Sequence, residues 1–217
     1  MIRILPNETD IYALTDSKFA RGRSVEEQAR ALLGAGVKIL QYREKHAKAG
    51  VMLEECRLLA RLCREAGACF IVNDHIDIAL LVDADGVHIG QDDLPISEVR
   101  RLVGPDKIIG LSTHCPEQAE AAVRDGADYI GVGPMFATQT KEDASEPVGY
   151  EYLEWVAKNC PIPFVAIGGI KEHNIGELVR RGCHCSALVS ELVGADDIAA
   201  KVASVREAIK KALAESA

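Results

Sequence analysis

The chain has 217 residues, with 25 lysines and arginines against 33 aspartates and glutamates, so its formal charge is −8 with histidines neutral. That balance argues against a nucleic-acid binder, whose affinity comes from a basic face that releases counterions. Hydrophobic residues at 48% and charged residues at 27% exclude intrinsic disorder and predict a packed core. No apolar run approaches the roughly 20 residues that span a bilayer. The opening stretch from Met1 breaks at Pro6, too early for a secretory leader, so a cytoplasmic chain without membrane contact is expected.

Taken in chain order, the sequence repeats one pattern. An apolar, β-prone run from Ile11 to Leu14 is followed by a capping box of Ser24 and Glu27 and then by Ala29, Leu32 and Leu33 at helical spacing. Gly36 ends that helix, and a second run, Val37 to Gln41, begins. Gly67 introduces Cys69 to Val72, and Gly86 opens Gly86 to Ile89. Pro95 and Pro116 stand where the first position of a helix is expected, on either side of a run from Lys107 to Leu111. Gly126 precedes Tyr129 to Val132, Phe164 to Ile167 follows, and Gly182 precedes Ser186 to Val189. A final helix is predicted from about Ala195 to Ala214. Glycine suits the left-handed residue just past a helix, which explains the recurring punctuation.

Eight strand–helix units leave about 27 residues each, enough for a strand, a helix and two short loops. No linker or low-complexity tract interrupts them, so residues 1–217 read as a single domain. A single (β/α)8 TIM barrel fits best, with an open doubly wound sheet as the alternative. The seven cysteines form no C-x-x-C pair and read as small buried thiols. Cys183 and Cys185 bracket His184, but alternation in an extended chain would point the histidine away from both, which weakens a metal reading.

In such a barrel the site lies at the C-terminal ends of the strands, and the polar residues of this chain collect there. Gln41, Arg43 and Lys45 alternate onto one side after the second run. Asn73 and Asp74 follow the third, Gln91, Asp92 and Asp93 the fourth, and Ser112 to His114 the fifth. Thr138, Thr140 and Lys141 lie beyond the sixth, Gly168 and Gly169 beyond the seventh, and Val189 and Ser190 end the eighth. Cations, carboxylates from separate loops and backbone donors together suit phosphates and a hard divalent cation, with Asp74 and Asp93 as its ligands. The turns after strands seven and eight suit a second phosphate. Taken singly, each group has a plainer reading: solvated charges, a tight Gly-Gly turn, Asp92 as a cap for the helix near Pro95, and hydrogen-bonded structural histidines at 75, 88 and 114. Their coincidence at one end of seven strands favours a site.

The motifs Gln41-x-Arg43-x-Lys45, Asn73-Asp74, His88-Ile-Gly-Gln91-x-Asp93, Gly110-x-Ser112-x-His114, Gly131-x-Gly133-Pro134-x-Phe136-x-Thr138-x-Thr140-Lys141, Pro147-Val-Gly149, Ala166-Ile-Gly168-Gly169 and Val189-Ser190, in this order, resemble the thiamine phosphate synthase family over nearly the whole length. The resemblance implies a transferase that joins hydroxymethylpyrimidine diphosphate to hydroxyethylthiazole phosphate with release of pyrophosphate. It implies Gln41, Arg43, Lys45, Asn73, Ser112 and Lys141 for the pyrimidine diphosphate, with Arg43, Lys45, Ser112 and Lys141 in the catalytic set. It implies Asp74 and Asp93 for Mg2+, and Thr138, Thr140, Gly169, Val189 and Ser190 for the thiazole phosphate. Ala137 and Gln139 stand where the family often has prolines, in a loop from Phe136 to Asp143 expected to close over the substrates. Related barrels that isomerise thiazole phosphate, a catalytically silent binder of the same fold, and a Schiff-base lyase using Lys45 or Lys141 are the competing readings. The helix faces of such barrels leave a homo-oligomer open.

Overall fold

In a computed structural model that describes residues 1–140 and 146–216, the strands are β1 (Ile11–Leu14), β2 (Ile39–Tyr42), β3 (Cys69–Asn73), β4 (Gly86–Ile89), β5 (Ile108–Thr113), β6 (Tyr129–Val132), β7 (Phe164–Ala166) and β8 (Ser186–Leu188). All neighbours run parallel, and β8 returns to β1 with Tyr12 opposite Ala187, closing the sheet into a barrel. The helices are α1 (Val25–Gly34), α2 (Ala49–Ala66), α3 (Ile76–Leu81), α4 (Ile96–Val103), α5 (Pro116–Asp125), α6 (Gly149–Asn159), α7 (Ile175–Arg180), α8 (Ser190–Val193) and α9 (Ile198–Ser216). The architecture is a (β/α)8 barrel, not an open sheet. None of the described helices is long and apolar enough to cross a membrane.

Strand alternation sorts the residues into two buried sets. Tyr12, Leu14, Ile39, Cys69, Ile71, Ile108, Tyr129, Val165, Cys185 and Ala187 fill the barrel interior. Their neighbours of opposite parity, such as Ile11, Ala13, Leu40, Phe70, Val87, Ile109, Ile130 and Leu188, pack against the helices. Each buried aliphatic side chain stabilises the fold by about 1.5–3 kcal/mol relative to exposure. Ile2, Ile4 and Leu5 pack onto the interior set. Ile2 donates its amide to Asp85 Oδ1 at 2.6 Å, and the other oxygen of Asp85 accepts from Phe70 N at 2.9 Å. The N-terminal end of the barrel is therefore plugged by these residues.

Several local expectations change. The second run starts later, at Ile39, and the last helix runs from Ile198 after the separate short α8, where one helix was expected. Pro116 occupies the first turn of α5, but Pro95 is the residue before α4. Asp92 makes no cap there; Asp93 instead accepts from Gly90 N at 2.7 Å. Gly36, Gly67, Gly126 and Gly182 all have positive φ. Gly86 does not end a helix: a Cβ on it would lie 2.3 Å from the carbonyl oxygen of Ile108, so it is glycine because β4 and β5 meet closely there. Cys183 and Cys185 precede β8, and both are buried while His184 is exposed, so the chain separates them as alternation requires.

Candidate active site

The inward parity that fills the barrel continues past the strand ends, which is why the polar residues converge. From Ile39 it leads through Gln41 to Arg43 and Lys45, from Ile71 to Asn73, from Ile108 to Ser112, and from Ala187 to Val189. The result is one cavity of about 270 Å3, and Gln41, Arg43, Lys45, Asn73, Asp74, Asp93, Ser112, Thr138, Thr140, Gly169, Val189 and Ser190 all line it. Lys141 lies outside the described residues, as do the last residues of the expected lid up to Asp143.

The cavity has two chemically different walls. On the β2 to β4 side, Arg43 sends one guanidinium nitrogen to Asp16 Oδ2 at 3.3 Å and another to the Thr140 carbonyl at 3.4 Å. Asp16 is buried and also accepts from Phe19 N at 3.0 Å, so Arg43 is braced from behind with other donors left for a ligand. Lys45 Nζ lies 2.5 Å from Asp74 Oδ2. Asp74 itself is held at φ +61, a left-handed conformation that only a few side chains tolerate, by its amide donating to the His88 carbonyl at 2.9 Å. Strain of that kind, kept at the mouth of a cavity, is typical of functional residues. Among the described residues no group of three or more histidines, cysteines or carboxylates is clustered to hold a metal. Two carboxylates are nevertheless what a hard cation such as Mg2+ needs when phosphate and water complete its shell.

On the β7 and β8 side the lining is Val165, Ile167, Ile170, Ala187 and Val189, with the Ser190 hydroxyl, while Thr138 and Thr140 come from the loop after β6, which reaches across to Arg43. Gly168 and Gly169 have φ of +98 and +62. A Cβ on Gly168 would lie 2.5 Å from Pro134, and one on Gly169 would lie 2.6 Å from the Ala137 carbonyl. The pair is thus more than a turn: it lets the loop after β6 pass directly over the loop after β7, with Phe136 N donating to the Gly168 carbonyl at 3.0 Å.

Sequence reasoning missed several residues. Tyr12 lines the cavity floor, and its hydroxyl meets that of Tyr129 at 2.8 Å. Burial pushes both phenols above their ordinary pKa, so they remain protonated donors. His88 bridges Tyr129 and Ser112, and His114 Nδ1 lies 2.6 Å from the Gly133 carbonyl that accepts from it. Both histidines are hydrogen-bonded, as the structural reading had them, yet both also line the cavity. Lys171 Nζ lies 3.1 Å from Ser190 Oγ and 3.2 Å from Glu191 Oε2. Its position just past the glycines of the β7 loop was the available signal. Tyr12 and Tyr129 gave none, because an inward tyrosine reads as core.

A family model described as thiamine monophosphate synthase matches residues 11–192. A thiamine-phosphate synthase of Pelotomaculum thermopropionicum is 59% identical over 204 residues, 94% of each chain. One from Lawsonia intracellularis is 54% identical over 212 residues, 96% of this chain and 98% of that one. The solved structure of a thiamine phosphate pyrophosphorylase from Pyrococcus furiosus superposes with a TM-score of 0.86 at 35% identity, covering 96% of this chain and 98% of its own.

Proposed function

The chain belongs to the thiamine monophosphate synthase family, and from that premise we propose how its cavity carries out the family's transfer. The chain is a transferase that forms thiamine phosphate, with hydroxymethylpyrimidine diphosphate and hydroxyethylthiazole phosphate as the two partners and residues 1–217 acting as one domain. The observation that carries the reading is the division of one cavity into a charged wall and an apolar, hydroxyl-bearing wall. That division is what two different phosphorylated substrates lying side by side require.

In this reading Gln41, Asn73 and Ser112 hold the pyrimidine, while Arg43, Lys45 and Lys141 bind the diphosphate. The carbon–oxygen bond between the pyrimidine methylene and the diphosphate breaks, and its electron pair leaves with pyrophosphate. The thiazole nitrogen then supplies its lone pair to form the new carbon–nitrogen bond. No proton needs to move, so the transfer itself calls for no general base. Catalysis lies in positioning and in neutralising the leaving group as its charge grows. Thr138, Thr140, Gly169, Val189 and Ser190 hold the thiazole phosphate, and Lys171 adds a cation next to Ser190.

Asp74 and Asp93 are the residues that would hold Mg2+. The fit is visible in the Lys45 ammonium, which already sits as a positive charge on Asp74 Oδ2 at 2.5 Å. Bound there, the ion would supply further positive charge to the departing diphosphate. The Schiff-base reading is disfavoured for Lys45 by the same contact, since its ammonium sits beside a carboxylate and not in an apolar pocket.

The test is a coupled assay of pyrophosphate release with both purified substrates, with and without chelator. Release that needs both substrates and stops with chelator is the expected result. Thiazole phosphate bound or isomerised with no pyrophosphate formed would favour the silent-binder or isomerase reading instead.

A further inference from the structure

Five polar side chains from five strands form a continuous file across the barrel interior, and the reaction described above uses only the two at its ends. Gln41 Nε2 donates to the Tyr12 hydroxyl at 2.8 Å, and Tyr12 meets Tyr129 at 2.8 Å. The Tyr129 hydroxyl lies 2.8 Å from His88 Nδ1, and His88 Nε2 lies 2.9 Å from Ser112 Oγ. The barrel is cut to admit the file. A Cβ on Gly110 would lie 2.1 Å from the Tyr129 ring, and one on Gly131 would lie 3.4 Å from the His88 ring. Both phenols are almost wholly buried.

Each hydroxyl has one proton to give, so the first donor fixes those that follow. Tyr12 accepts from Gln41 and donates to Tyr129, and Tyr129 donates to His88 Nδ1. The His88 ring therefore carries its proton on Nε2 and donates it to Ser112. With Gln41 as the donor, this is the arrangement in which neither buried phenol proton lacks an acceptor. It leaves Gln41 Oε1 as an acceptor at one end and the Ser112 O–H as a donor at the other.

We propose that Tyr12, Tyr129 and His88 are positioning residues that tie the hydrogen-bonding polarity of Gln41 to that of Ser112. Turning the Gln41 amide over reverses every link and converts Ser112 from donor to acceptor. The two ends thus present opposite polarities to the pyrimidine in either sense. A ring with an amino group on one edge and a bare ring nitrogen on the other satisfies both ends together. A ring with an oxo group in place of the amino group, carrying its lactam proton on the ring nitrogen beside that group, offers acceptors at both positions, so one end is mismatched in either sense. The file is a device for rejecting such a ring, and it rests on the reading of Gln41 and Ser112 as pyrimidine contacts.

Two measurements test it. Side-chain nitrogen NMR of the ligand-free protein should show His88, identified by the signal lost in His88→Asn, with one proton on Nε2. A ring protonated on both nitrogens fits neither sense of the file and would overturn the proposal whatever the protein's activity, whereas a single proton on Nδ1 is the same file with Gln41 turned over and supports it. The second measurement is the ratio of kcat/KM for the amino and oxo pyrimidine diphosphates, in the wild type and in Tyr129→Phe. Because the same two compounds are compared in both proteins, their intrinsic reactivities cancel. The wild type should favour the amino compound by about 10³-fold or more, and Tyr129→Phe should narrow that ratio by about tenfold or more. Tyr12→Phe interrupts the same file and should narrow it likewise, which covers the case of a poorly folded Tyr129 variant. Variants slower on both compounds with an unchanged ratio would reduce these residues to packing and sink the proposal. Failure of the functional reading has a different signature, absent pyrophosphate release by the wild type, and the NMR result still decides the file.

Discussion

Asp74→Asn is expected to lower turnover by about 10²-fold or more while leaving the thermal unfolding temperature nearly unchanged. Asparagine tolerates the left-handed conformation at φ +61 almost as well as aspartate. The substitution therefore removes charge and little else. Asp74→Ala should be equally inactive and less stable by about 1 kcal/mol, because alanine in that conformation is strained. Loss of the Lys45 pair adds little to that cost, since its side chains are 43% and 24% exposed and such pairs stabilise weakly. Steady-state pyrophosphate release and a melting curve separate the two effects. Near-normal turnover in either variant would remove Asp74 as a Mg2+ ligand.

Arg43→Ala should be the other large loss, again about 10²-fold or more in kcat, because it removes a charge placed where the leaving group gathers its own. The substitution also strands Asp16, whose side chain is 6% exposed, so a stability cost of about 1–3 kcal/mol accompanies it. Arg43→Lys distinguishes charge from geometry. A lysine cannot reach Asp16 and the Thr140 carbonyl together as the guanidinium fork does. It should recover only part of the lost kcat, measured under saturating substrates. Full recovery with lysine would mean that bidentate placement is irrelevant. Lys141→Ala is expected to resemble Arg43→Ala in activity, without the cost in stability.

Much of the molecule is legible in its sequence for two physical reasons. The alternation that sends Ile39 and Gln41 inward also sends Arg43 and Lys45 inward, so a strand pattern read correctly places the residues beyond it. Helix-ending glycines mark the units because positive φ is costly for other residues, and Gly36, Gly67, Gly126 and Gly182 all occupy it. What could not be read depends on contacts between distant segments. Gly86 and Gly110 are glycines because Ile108 and Tyr129 come close in space, and nothing local announces it. Tyr12, Tyr129 and His88 look like core residues until the closed barrel joins their polar atoms. Asp16 follows the first strand at a polar turn and is seen as the brace of Arg43 only once β1 and β2 pair. Asp92 shows the reverse error: a residue type suited to capping sits near a helix start, yet the chain turns before it can act.

The central claim is that carboxylates and cations from separate loops act together on one diphosphate, and calorimetric titration with inorganic pyrophosphate tests it most directly. The account predicts binding that needs Mg2+, with affinity falling at least about tenfold in Asp74→Asn and in Asp93→Asn. Equal affinity with and without the ion, or in the two variants and the wild type, would contradict it.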